Sequence, residues 1–180
     1  MALLFSEPGR QQFIQIAYHV ADLGEAIGRW HAATGIGPFF LRRHIPLADV
    51  FYRGEPSTLE IGAAMVQSGD IQIELIQQHC DTPSTFRDMF NRNEEGLHHV
   101  AIAPSDEAAM LDHYHALGFP VTTSFETQAG GGADYIDTRP LNGHMIELYR
   151  LSERIVALYD RVTSAAENWD GRDLVIELQP

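Results

Sequence analysis

QIAYHVADLGEA at residues 15–26 and GLHHVAI at residues 96–102 decide how this chain is read, because each opens a strand-to-helix unit and the two units match. FIQIAYHV at 13–20 is rich in aromatic and β-branched residues and predicts a strand. Asp22 with Glu25 three residues later predicts a capped helix start, and Leu23, Ala26, Ile27 and Trp30 recur at helical spacing. Gly35-Ile-Gly-Pro38 ends that helix. Phe39 to about Tyr52 predicts weaker extended chain, and Thr58–Gln67 with Ile71–Gln78 a hairpin turned at Ser68-Gly-Asp70. Thr82-Pro83 is expected to open a short linker helix, about residues 82–93, with Phe86, Met89 and Phe90 on one side.

The order then repeats. Leu97–Ala103 predicts a strand, Ser105–Leu117 a helix, and Val121–Thr127, Ala133–Asp137 and Met145–Arg150 three further strands. Placing Gln15 on His99 aligns Ala17 with Ala101, Asp22 with Asp106, Trp30 with Tyr114, His31 with His115 and Ala32 with Ala116. Ile73-Glu-Leu75 and Ile146-Glu-Leu148, on the fourth strands, are the same triplet. Ordered agreement at both ends implies two pseudo-symmetric β-α-β-β-β modules, about 13–78 and 97–150, in one α+β domain over 1–180. A last helix from about Ser152 to Asn168 and an edge strand in the tail Asp173–Gln179 complete the expectation over 151–180.

Composition narrows the chemistry. The chain has 180 residues, a net charge of -13, and twelve basic residues that are all arginine. The lack of lysine excludes Schiff-base catalysis and a P-loop lysine. The acidic balance argues against nucleic acid and anionic membrane as partners. A single cysteine, Cys80, can form neither an internal disulfide nor a thiolate cluster, which favours a reducing, cytoplasmic home. The apolar start Met1–Phe5 meets Ser6-Glu-Pro8 without a basic leader, and no run approaches the roughly 18 apolar residues of a membrane span.

Strand alternation puts Gln15 on a face with Ala17 and His19, Glu74 with Gln72, Ile76 and Gln78, His99 with Leu97 and Ala101, and Glu147 with Met145 and Tyr149. Two glutamates among Ile and Leu are costly to bury unpaired. An imidazole, an amide oxygen and two carboxylates are a sound donor set for a divalent metal, so Gln15, Glu74, His99 and Glu147 are the candidate ligands. A mixed N/O set admits Zn, Ni, Co, Mn or Fe. His19, Gln78 and Tyr149 are candidate substrate contacts on the same faces. His98 is expected to point away from His99, His144 to sit in a turn, His113 and His115 on the second helix, and Gly130-Gly-Gly132 in a turn between strands.

These stretches, with IELIQ at 73–77 and IELY at 146–149, resemble the vicinal oxygen chelate superfamily over roughly residues 13–150. The resemblance implies a cupped mixed sheet, metal ligands at the four positions above, a dimer, and a small-molecule substrate with adjacent oxygens. The Gln/Glu/His/Glu set looks like the eukaryotic type of glyoxalase I; GLHHVAI resembles methylmalonyl-CoA epimerase; GIGPFF is similar to a broad bacterial glyoxalase-like branch. His19 and Glu95 replace two arginines that in glyoxalase I help hold glutathione carboxylates. Gln15 departs from the two-histidine, one-glutamate set of the extradiol dioxygenases. The implied activity is a metal-dependent isomerase, epimerase or lyase moving a proton next to a carbonyl, with Glu147 the first choice of proton carrier and Glu74 the second. The alternatives are a non-catalytic small-molecule binding protein and a non-haem iron dioxygenase.

Overall fold

Gly62 marks a close approach of backbone: a Cβ there would lie 2.2 Å from the carbonyl oxygen of Arg43, which opens the connector from residues 39–42 to residues 47–52. The computed structural model describes residues 6–128 and 130–178. The Met1–Phe5 stretch and Gln179 lie outside the described residues. The first module holds β1 (Phe13–His19), α1 (Leu23–Thr34), β2 (Phe39–Arg42), β3 (Leu47–Tyr52), β4 (Glu55–Pro56), β5 (Ile61–Ser68) and β6 (Ile71–Gln78). The second holds β7 (Gly96–Ile102), α2 (Glu107–Ala116), β8 (Val121–Thr127), β9 (Gly132–Ile136), α3 (Arg139–Asn142) and β10 (Met145–Arg150), followed by α4 (Glu153–Glu167) and β11 (Val175–Glu177).

The strands form one mixed sheet in the order β11-β2-β5-β6-β1-β7-β10-β9-β8-β3-β4. First strands β1 and β7 pair antiparallel at its centre, and each is flanked by its own fourth strand, β6 or β10, running parallel. The order β6, β5, β2 on one side is matched by β10, β9, β8 on the other, the two-fold arrangement that the repeat predicts. Beyond β2 the tail adds β11, at the edge where the sequence leaves a place for it.

The weak stretch 39–52 divides rather than forming one element. β2 stays with its own module, whereas β3 crosses to pair with β8 at the far edge of the other. Between them Ile45 N–H donates to the Ile61 carbonyl and Gln128 N–H to the Pro46 carbonyl, tying the connector to both halves. A sheet of this width must curl, and its curl brings the two edges within reach of four residues of chain.

Helices α1 and α2 cover the outer face. Leu23, Ala26 and Ile27 pack on Leu41, Val66 and Leu75, and Met110 and Tyr114 on Val100, Ile102, Ile136 and Leu148. Each helix starts as its sequence predicts: the Asp22 carboxylate accepts from Glu25 N–H at 2.8 Å, and that of Asp106 from Ala109 N–H at 3.0 Å. No helix among the described residues is long and apolar enough to cross a membrane.

The inner face is closed at both ends. At one end Phe86 joins Leu59, Ile61, Ile76, Phe125 and Tyr135 in a buried cluster; at the other, Ile155 and Tyr159 of α4 pack on Ile14, Ala101 and Ala103. The expected linker helix over 82–93 is instead a hydrogen-bonded turn. Asp88 and Phe90 amides bond the Ser84 and Phe86 carbonyls, but the Thr85 amide is taken by the Thr123 hydroxyl and the Phe86 amide by that of Ser84. The Ser84 hydroxyl thus caps a single turn, whose backbone bonds run only as far as Phe90.

Candidate metal centre and cavity

Register brings the four predicted ligands to the inner face. Ala17 on β1 pairs with Glu74 on one side and His99 on the other; Ala101 on β7 pairs with Gln15 on one side and Glu147 on the other. Both alanines are fully buried. A residue ending at Cβ between two longer ones leaves the space in which they meet. His99 Nε2 lies 3.1 Å from Glu147 Oε2 and 3.6 Å from Glu74 Oε2. Gln15 is buried beside them, its Nε2 donating to Gln72 Oε1 at 2.7 Å, so the amide oxygen is the end not used by that bond.

His98 does not point away from its neighbour. β7 is bulged opposite Ala17 and Tyr18, so His98 is the unpaired extra residue of the strand. Its ring stacks on Phe86 at 4.4 Å between centroids, and its Nδ1 lies 2.8 Å from His99 Nδ1. One of these nitrogens donates and the other accepts. With His99 as donor, its Nε2 lone pair faces the glutamates. Burial, followed by the adjacent His99, holds His98 well below the ordinary histidine range, which keeps it a neutral partner.

The two carboxylates differ. Burial, and then the charge of Glu147, push the Glu74 carboxyl well above its ordinary range. Tyr135 pairs with Glu147 across β9 and β10, and burial together with the two glutamates keeps its phenol protonated. In the pseudo-symmetric place beside Glu74 stands Met65.

Next to Met65 the inner face opens into a cavity of about 580 Å³. Glu74 and Tyr149 lie in its wall with Ala63, Met65 and Arg42 from the sheet, and Arg154, Ile155, Ala157, Leu158 and Arg161 from α4. Glu147 is not among the lining residues; its side chain is 6% exposed against 12% for Glu74. Of the predicted substrate contacts, Tyr149 is in the wall, whereas His19 and Gln78 are placed elsewhere. His19 is stacked on Phe90 with Nδ1 at the Glu94 carbonyl, and Gln78 accepts from the Ser84 hydroxyl and donates to the Thr82 carbonyl. Both secure the 84–94 turn, which the strand pattern alone does not bring to this face.

Among the described residues, no group of three or more His, Cys, Asp or Glu stands in a geometry that would hold a metal ion as it is. The donors nevertheless suit one. His99 Nε2 and Glu147 Oε2 are buried without hydrogen-bond partners. Two ligands each about 2.1 Å from a shared ion lie roughly 3.0–3.4 Å apart, close to the separations found between His99 and the glutamates.

The family model for the glyoxalase/bleomycin resistance protein/dioxygenase superfamily matches residues 14–136, most of both modules. The chain belongs to that superfamily. The superfamily match ends before β10, so it includes Gln15, Glu74 and His99 but not Glu147. Solved structures share the fold at low identity. Methylmalonyl-CoA epimerase from Mycobacterium tuberculosis is 19% identical, over 81% of this chain and 91% of that one, at a TM-score of 0.54. A hypothetical protein from Bacillus halodurans is 16% identical over 79% and 96%, at 0.55. A Streptomyces coelicolor methylmalonyl-CoA epimerase variant in complex with 2-nitronate-propionyl-CoA is 15% identical over 79% and 95%, at 0.55. No curated protein matches.

Proposed function

We propose that this chain is a divalent-metal-dependent isomerase or epimerase that moves a proton on the carbon next to a carbonyl. The observation that carries the proposal is the meeting of buried His99 and Glu147 with Glu74, which stands in the wall of the cavity. Gln15, Glu74, His99 and Glu147 would hold the ion, which when bound supplies a Lewis acid for the oxygen of an enolate. The residues of the chain do the rest. Glu74, the carboxylate in the cavity wall, takes the proton from the carbon and returns it. This reverses the order in which resemblance ranks the two glutamates, because Tyr135 shields Glu147 whereas Met65 leaves Glu74 open. Tyr149, kept protonated by burial and then by the charges of Glu147 and Glu74, can donate a hydrogen bond from the same wall. Met65, Ile155 and Leu158 supply apolar surface that keeps water from the reacting carbon.

The test joins metal analysis of native protein to a deuterium-exchange screen of 2-oxo thioesters, hydroxy ketones and glutathione hemithioacetals. Near-stoichiometric divalent metal and solvent deuterium entering one substrate are the expected results. A second reading is that the cavity of about 580 Å³ binds a small molecule without turnover. Tight binding of an unchanged compound by metal-free native protein would establish that reading instead.

A further inference from the structure

The charge of the cavity wall is opposite to that of the molecule. In a chain of net charge -13, the arginines Arg29, Arg43, Arg53, Arg92, Arg139, Arg150 and Arg172 each lie within 4 Å of a carboxylate. Of the five others, Arg10 is exposed and Arg87 donates to the Gln78 and Cys80 carbonyls, while Arg42, Arg154 and Arg161, with no carboxylate partner among the described residues, all line the cavity. Their placement follows from local structure. Arg42 shares a face of β2 with Phe40, both pairing across to β5 residues of the inner face. Arg154, Ala157, Leu158 and Arg161 repeat at the i, i+3, i+4, i+7 spacing of one helical stripe, and that stripe borders the cavity while Ile155, Tyr159 and Val162 are buried. The Arg161 guanidinium lies 5.1 Å from the centre of the Phe40 ring. A guanidinium laid on an aromatic face keeps its in-plane N–H donors available for a forked contact.

Three unpaired like charges around one cavity repel one another, and an acidic surface offers carboxylates in plenty to pair with them. Guanidinium donors match carboxylate and phosphate oxygens in geometry as well as charge. We propose that Arg42, Arg154 and Arg161 form an anion-binding subsite at the mouth of the cavity, and that the substrate carries a carboxylate or phosphate remote from its reacting carbon. The inference rests on the proton-transfer reading for the other end of that substrate. The glutamates and the arginines then divide the cavity into a reacting end and a holding end.

The test is calorimetric titration with malonate, inorganic phosphate and neutral malonamide, on native and metal-stripped protein. At least one anion binds and malonamide does not; a response to malonate assigns a carboxylate, one to phosphate a phosphate. Arg42→Gln, Arg154→Gln and Arg161→Gln each weaken binding about tenfold, the worth of one charge-assisted contact. Arg161→Lys keeps most of the affinity, and Arg10→Gln, an exposed arginine outside the cavity, leaves it unchanged. Circular dichroism checks that each variant folds. Anion binding without deuterium exchange in any substrate would sink the proton-transfer reading and leave the subsite standing. Equal binding of malonamide, no binding of either anion, or an Arg154→Gln/Arg161→Gln double variant with native affinity overturns the subsite.

Discussion

The two modules place like residues in like registers, yet their inner faces do opposite things. Beside Glu74 the neighbouring strand offers Met65, and the cavity opens there; beside Glu147 it offers Tyr135, fully buried against the Phe86 cluster, and the face is closed. The first-strand ligands differ in the same sense. Gln15 is steadied by Gln72 on the next strand, whereas His99 is steadied by His98 from its own strand through a bulge. On the outer face Ala64 of β5 packs in an apolar core, while its counterpart Asp134 of β9 joins Glu107 and Glu126 around Arg150. A duplicated frame thus fixes where the four candidate ligands go, and the residues that are not duplicated decide which glutamate faces the cavity.

The largest effect should come from exchanging the carboxylates. Glu74→Gln is expected to lower deuterium exchange about 10³-fold with the fold retained, as for loss of a general base. Glu147→Gln should act chiefly through metal content. If metal-loaded Glu147→Gln loses exchange while Glu74→Gln keeps it, the open side and the working side are not the same. Next come the partners of the first-strand ligands. His98→Phe preserves the stack on Phe86 but removes Nδ1, and should weaken metal affinity about 10–100-fold by equilibrium dialysis; Gln72→Leu should do so less.

A smaller effect is expected at the spacers. Ala17→Val and Ala101→Val overfill buried gaps and should each cost about 1–3 kcal/mol in urea unfolding. Ala17→Val should part His99 from Glu74, and Ala101→Val should part Gln15 from Glu147, so equal loss of metal from both would confirm that the frame is symmetric. The mildest test concerns the outer face. Burial, and then its contact with Glu107, raise the Asp134 carboxyl from 3.8 to about 7. Between those values the folded chain holds a proton that the unfolded chain has released, so the stability from this group is present below the unfolded pKa and lost as pH rises to about 7. Asp134→Asn should flatten melting temperature across that window; an unchanged slope would show that another group sets it.

Much of this was legible in the sequence because the duplication repeats both a strand pattern and its chemistry. The IEL triplets and the Gln15/His99 alignment are local signals, and period-two alternation assigns their faces. Ala17 and Ala101 were visible as an aligned pair, but their role as spacers needs the pairing register, which no single strand carries. His98 escaped for the same reason: alternation holds only along an unbulged strand. Parity alone puts His19 and Gln78 on the ligand faces, and parity does not say which part of a face a loop will cover. The arginines of α4 show a plain helical stripe, yet nothing in that stripe names the cavity it borders.

The β3–β4 hairpin belongs to the first module by sequence and to the second by pairing. During synthesis, residues 47–56 emerge long before β8 at 121–127 exists to receive them. The rim of one half must therefore wait, unpaired, for the other to be made, and neither half can complete its own edge alone. Cutting this chain between Asn93 and Gly96 would leave each fragment holding a piece of its neighbour's boundary. The exchange should couple the two repeated units, and a single unfolding event common to both halves is the expected signature.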